Sequence, residues 1–334
     1  MNHAFATRLG AIGLALIAAA AIGGPASATD PKVTLSFGDV NTKDSPVGKS
    51  VLRLGELMKE RTGGTVTIDY FERSQLGNER ELVEKVKSGA VDMADISTGV
   101  LSSFVGGVGL VTLPYLLDSR EHGIKVLKSE IGQAWAKEFT DKHNVHLFGY
   151  FAGSVRDLYT RKPINAVQDF KGLKIRVVES PVYVSFVKAL GALPTPVPAS
   201  EIYSALQTGV VDGTDVGSAT YVTQKIYEQA PCVAKMKWLY GYQGILMSDR
   251  SWRRLSEAQR QALTRSLADA EQFSVDTYNA FDQTIYDALV AKNQVTVTHP
   301  DIAAIRAAVE LVYENEWNAK YGKDAIARVR AMAR

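Results

Sequence analysis

Few residues in this 334-residue chain have the types and spacing for catalysis, and two arginines stand out instead. Arg176 lies in Leu173-Lys174-Ile175-Arg176-Val177-Val178. Alternation in this strand-like run sets Leu173, Ile175 and Val177 on one face, and Lys174, Arg176 and Val178 on the other. Ser180-Pro181 follows, a cap and then a proline, and starts a helix. Arg176 therefore stands near the carboxyl end of a strand, where ligands sit in open α/β sheets. Arg156 opens the neighbouring strand after Gly153-Ser154. Two guanidinium groups converging in a cleft would hold a carboxylate through paired, charge-assisted bonds. Spacing alone favours a plainer reading, a pair of solvated surface arginines.

Other chemistries find less support. His3, His122, His143, His146 and His299 make no metal-ligand pair at helical spacing, and there is no H-E-x-x-H. His143 and His146 flank a strand start and read as structural histidines. Gly48-Lys49-Ser50 resembles the end of a phosphate-binding loop, but Lys43 stands where its first glycine belongs. Ser185 and Lys188 match S-x-x-K without the partner motifs of acyl-serine enzymes, and no G-x-S-x-G occurs. The single cysteine, Cys232, forbids an intrachain disulfide and a cysteine-rich zinc module. With 38 Lys+Arg against 36 Asp+Glu, the chain lacks the basic excess of a nucleic-acid binder. No enzyme, cofactor or metal is expected.

The elements that must position the arginines read as α/β. Arg8 precedes an apolar run from Leu9 to Ile22, then Ala26-Ser27-Ala28, so residues 1–28 are expected to be a cleaved signal peptide without a lipid anchor. Export to the periplasm follows. Strands are expected at Val33–Phe37, Thr65–Phe71, Val91–Ile96, Val145–Tyr150, Val155–Thr160, Leu173–Val178 and Val295–Val297. Helices alternate with the first three, which implies parallel pairing. A chain this long exceeds the ~250–300 residues at which one core stops growing, so two lobes are expected. Their expected extents are residues 29–152 plus about 242–280, and residues 153–241 plus about 281–334. No Gly or Pro occurs between Ile245 and His299. One helix over Glu257–Ala291 would be about 50 Å long and would cross both lobes. The alternative is two helices broken near Ser274.

In order and spacing, several motifs together resemble the DctP family of solute-binding proteins from TRAP (tripartite ATP-independent periplasmic) transporters. They are Ser74-Gln75-Leu76-Gly77 with Glu79 and Arg80, Ser88-Gly89-Ala90-Val91-Asp92, Leu113-Pro114-Tyr115, Phe170-Lys171-Gly172-Leu173-Lys174-Ile175-Arg176, Ser200–Gln207 and Val210-Val211-Asp212-Gly213. The resemblance covers nearly the whole mature chain. It implies a two-lobed periplasmic binding protein fold with a long helix spanning both lobes, and an organic-acid ligand whose carboxylate is held by Arg176 with Arg156 assisting. It further implies that Ser97, Thr98 and Asp215 read hydroxyl or amino groups, that Val216 and Trp238 belong to the site, and that a small and a large membrane subunit are the partners. Two departures stand out: Thr214-Asp215-Val216-Gly217 replaces the frequent Gln-Glu-Asn-Pro, and Ala199 replaces a large aromatic. Rival readings are a binding protein for an ATP-driven importer or a sensor kinase, and a periplasmic hydrolase or lyase.

Overall fold

The first half of the chain builds a strand–helix alternation because its apolar residues change period at capped boundaries. A computed structural model describes residues 30–333, apart from the side chain of Gln283, so the expected signal peptide lies outside the described residues. β1 (Val33–Gly38) pairs in parallel with β2 (Val66–Phe71) and with β3 (Met93–Ser97). The helices Pro46–Arg61 and Glu79–Ser88 make the crossovers. The second starts in a reciprocal box: Asn78 Oδ1 accepts from Glu81 N–H, and Glu81 Oε2 accepts from Asn78 N–H. Gly89, at φ 72°, closes it in a left-handed cap that a Cβ would strain. Gly48-Lys49-Ser50 lies inside the Pro46–Arg61 helix, which removes any phosphate-loop reading.

The second half repeats the pattern. β5 (Lys174–Val177) pairs in parallel with β6 (Leu193–Pro196) and with β7 (Gly213–Gly217). The Pro181–Ala189 helix joins β5 to β6, and Ser185 on it bonds Glu316 at 2.7 Å, a surface contact. Two long strands join the halves, β4 (Val145–Thr160) and β8 (Cys232–Ser248). They pair antiparallel with each other, β8 pairs antiparallel with β3, and β4 pairs antiparallel with β7. The sheet order is β2-β1-β3-β8-β4-β7-β5-β6, with β9 (Thr296–Thr298) added in parallel at β8. One continuous sheet thus carries both halves. Val145–Tyr150 and Val155–Thr160 are one strand with register shifts between them, not two strands. β8 is a strand the periodicity does not announce. Its run mixes an alternating stretch, Ala234-Lys235-Met236-Lys237-Trp238, with a mostly apolar segment at residues 244–247.

The long helix spans Glu257–Thr284, about 42 Å at 1.5 Å per residue. Ser256 and Gln259 form its capping box. It ends earlier than expected, with a turn at Ile285-Tyr286 before a short helix at Asp287–Ala291. Tyr286 sends its hydroxyl there into a buried cluster, 2.8 Å from both Tyr159 Oη and Asp157 Oδ2. The alternative break at Ser274 is absent: Ser274 Oγ instead accepts the Ala152 N–H at 2.8 Å and staples the helix to β4. Arg120 fixes the same helix from the other side. It is 3% exposed, donates to Asn279 Oδ1 and Gly153 O, both at 2.8 Å, and pairs with Asp282.

Candidate functional site

β4 and β8 cross most closely at Gly153 and Gly241. A Cβ on Gly153 would stand 2.8 Å from the carbonyl carbon and oxygen of Gly241, so no other residue fits without moving backbone. The register slips between Ala152 and Val155 at the same point. Kinks of this kind re-aim side chains, and Arg156 follows directly. A cavity opens here, with about 630 Å³ of atom-free space, mouth included. Gly153, Gly241, Arg156 and Arg176 line it.

Arg156 is held by Asp215. Nε reaches Oδ1 at 2.9 Å and Nη2 reaches Oδ2 at 2.8 Å, a bidentate pair across β4 and β7. The face of Tyr183 lies 5.1 Å from its guanidinium carbon. Burial works against this charge, but the Asp215 carboxylate and Tyr183 outweigh it and raise the arginine's pKa.

Arg176 is different. It is 3% exposed, and its partners are two backbone carbonyls, Val197 O at 2.7 Å from Nε and Asp215 O at 2.9 Å from Nη1. No carboxylate of the described residues forms an ion pair with it. Burial first, and the neighbouring Arg156 charge second, pull its pKa down to about 10. It remains cationic at neutral pH. A buried, charged fork without a counterion is costly, and an anion in the cavity relieves that cost.

The rest of the wall is mainly neutral and polar. Ser97 and Thr98 line it from the end of β3, Asn41 from the loop after β1, and Ser154, Thr220 and Gln243 from the remaining sides. Tyr183 and Tyr278 supply rings, and Ala199 and Val216 supply small apolar surface. Glu79 also lines the cavity and accepts the Ser97 N–H at 2.5 Å. Burial pushes its carboxyl up, opposed by that bond and by both arginines.

The structure places Arg176, Arg156, Ser97, Thr98 and Val216 on the wall of one cavity, and places Asp215 and Trp238 behind it. Asp215 is fully buried and does not line the cavity. Both its carboxylate oxygens are engaged by Arg156, and its carbonyl accepts from both arginines, so its hydrogen bonds hold the two forks in place. Trp238 does not line the cavity either. It stacks on Phe186 at 4.2 Å and meets Tyr183 edge-on at 5.2 Å, so it supports the ring beneath Arg156 from the core. Sequence reading missed Asn41, Glu79, Ser154, Tyr183, Thr220, Gln243 and Tyr278 as wall residues. The one available signal was position: Asn41 follows a strand, and Thr220 follows the β7 turn.

His122 and His146 make structural contacts. His146 meets Asp249 at 3.0 Å, and His122 contacts the Val329 carbonyl at 2.7 Å. Among the described residues no group of three His, Cys, Asp or Glu is placed to hold a metal, and no helix is long and apolar enough to cross a membrane.

Comparison with known proteins adds an independent line. Residues 37–320 match the family model DctP, bacterial extracellular solute-binding protein, family 7. A sialic acid-binding periplasmic protein, SiaP, of Vibrio cholerae is 26% identical, over 92% of this chain and 95% of its own. The C4-dicarboxylate-binding periplasmic protein DctP of Rhodobacter capsulatus is 29% identical, over 90% of each. A TRAP periplasmic solute-binding protein from a Polaromonas species, solved with D-erythronate bound, superimposes with a TM-score of 0.84 at 28% identity, covering 90% of this chain and 98% of the other.

Proposed function

Since the chain belongs to family 7 of the bacterial extracellular solute-binding proteins, the DctP family of TRAP periplasmic proteins, we propose that its cleft captures a hydroxylated monocarboxylate, with Arg176 as the principal grip. The protein is a periplasmic binding protein for organic acid anions, not an enzyme. The single observation that carries the finer reading is Arg176 itself, buried in the cavity wall with backbone carbonyls as its only partners.

Three relatives bind sialic acid, a C4-dicarboxylate and D-erythronate. A carboxylate is what these ligands share, and size is not. Among the described residues the cationic groups lining this cavity are Arg156 and Arg176, and Arg156 is already neutralised by Asp215. A second carboxylate would meet Glu79 and neutral amides and hydroxyls. Those groups suit hydroxyls, which both donate and accept. A mono-acid carrying hydroxyls therefore fits better than a diacid.

Ligand contacts made to both halves are stronger when the cleft is closed, so binding shifts the population toward closure. We take the halves to be residues 29–152 with 242–280, and residues 153–241 with 281–334. Contacts between them already exist: Arg80–Glu179 at 2.5 Å, Ser102–Ser180 at 3.0 Å and Thr220–Asn41 at 3.3 Å. The closed form is then presented to a small and a large TRAP membrane subunit.

Calorimetry against D-erythronate, galactonate, succinate and sialic acid tests the reading. Tighter binding of the hydroxylated monocarboxylates than of succinate is the expected result. Preference for succinate would overturn the ligand class, and equal binding of an uncharged sugar would overturn the role of Arg176.

A further inference from the structure

One layer behind the cavity wall stand two carboxyls that the ligand grip does not use. Asp39 follows β1 directly, and Asp95 is the middle residue of β3. The register Phe37↔Met93, Gly38↔Ala94 sets the two side by side. Each is 1% exposed. Asp39 is well supplied with donors: Asn41 N at 2.6 Å and Asn41 Nδ2 at 2.9 Å reach Oδ1, and Tyr70 Oη reaches Oδ2 at 2.6 Å. Asp95 is not. Among the described residues neither of its oxygens makes a well-formed hydrogen bond, and its own backbone N–H is the one donor near enough to favour its charge. Two facing carboxylates only repel, whereas one acid and one carboxylate form a strong O–H···O⁻ bond.

We propose that Asp95 is held as a neutral carboxylic acid that donates its proton to Asp39, and that the pair is a positioning device for Asn41. Asn41 ties the pair to the cleft. Its Nδ2 is spent on Asp39, its Oδ1 accepts from Thr220 Oγ1 across the gap at 3.3 Å, and the residue lines the cavity. The proton thus orients an amide that joins the two halves. A metal ion fits this site poorly: three of the four hydrogen bonds open to Asp39 are already made, and hard cations take six or more oxygens.

The charged and titratable surroundings favour keeping the proton. Burial raises both carboxyls, and Asp95 is raised further by Asp39 and by Glu79. From β2, Tyr70 faces Asp39 as a neutral donor, with Lys43 and Glu72 beyond it. From the long helix, Tyr278 faces the pair and is also kept neutral by burial. Because the folded state holds the proton more tightly than the unfolded chain, this contribution to stability is full at low pH. It fades as pH rises from the ordinary aspartate range through the raised value.

The proposal does not depend on which acid the cleft takes, and its test needs no ligand. Ligand-free protein labelled in its asparagine amides and aspartate carboxyl carbons is followed by NMR from mildly acidic to mildly alkaline pH. In the wild type, the assigned Asp95 carboxyl carbon should show the neutral acid at neutral pH. The Asn41 side-chain amide should shift as that acid titrates. In Asp95→Asn, whose amide donates to Asp39 at every pH, the Asn41 signal should stay at its low-pH position throughout. An ionised Asp95 at neutral pH in the wild type would overturn the proposal. So would an Asn41 signal in Asp95→Asn that titrates like the wild type. The wild-type measurement stands alone if the variant does not fold.

Discussion

At the scale of single residues, the two arginines divide one task. Arg156 is built into the wall by Asp215, and Arg176 makes no ion pair, although Asp215 and Glu79 stand near enough to offset part of the cost of its charge. Arg176→Ala should therefore cost at least about 2 kcal/mol of ligand binding by calorimetry, as for truncating one partner of a buried charged pair. Arg176→Lys should lose nearly as much, because a point charge cannot reproduce a planar fork. Arg176→Met gives a sharper expectation. It removes a buried unpaired charge, so ligand-free thermal stability should hold or rise while the ligand-induced shift disappears. A lower melting temperature without ligand would show that the charge is better compensated than its hydrogen bonds indicate. Arg156→Ala should differ in kind. It strands the Asp215 carboxylate, fully buried, and should lower stability by about 3–5 kcal/mol in urea unfolding, beyond any loss of binding. The pH dependence follows from the depressed pKa of Arg176. Above about 10 the ligand-free site sheds its proton, and binding must restore it. Affinity should be flat below that value and fall as pH rises through it. Calorimetry in alkaline buffer checks this, with circular dichroism to confirm that the fold persists.

At the scale of elements, the site depends on where β4 and β8 cross and on what pins the long helix against them. The Gly153–Gly241 approach leaves no room for a side chain, so Gly153→Ala should disturb the crossing and weaken ligand binding together with stability. Arg120 joins the kink at Gly153 to Asn279 and Asp282 of the Glu257–Thr284 helix. Arg120→Ala leaves Asp282, itself largely buried, without its cation and should cost about 3–5 kcal/mol of stability, read by denaturant titration. Much of this scale was legible in the chain. The capping residues Asn78 and Ser256 and the parallel strands of the first half read directly from type and spacing, whereas β6 and β7 of the second half did not. β8 was not legible as one strand, because its alternation is confined to residues 234–238 and two glycines, Gly241 and Gly244, interrupt the rest. The helix break at Ile285-Tyr286 was not legible either. No Gly or Pro marks it, and its cause is a hydroxyl reaching Asp157 and Tyr159 from far along the chain.

At the scale of the whole molecule, a single sheet shared by both halves makes the cleft a bend in one body instead of a gap between two. On the proposed closure, a few contacts across the mouth hold the cleft shut. Arg80–Glu179 is partly exposed, so Arg80→Ala should weaken binding by no more than about 1 kcal/mol, mainly through faster release in stopped-flow dissociation.

The sequence by itself determined the family and many of the local elements. Residue type and spacing put Arg176 at the end of a strand, and only the ordered family motifs around it turn a carboxylate grip into the expectation. Only the tertiary structure decided which neighbours share the work. Asp215 moved from reader to brace, and Trp238 from wall to core. Asn41, Tyr183 and Thr220 entered the cavity from a loop and two helices far apart in the chain. Partnership of that sort is a property of packing, since a side chain's role depends on which remote group uses up its hydrogen bonds.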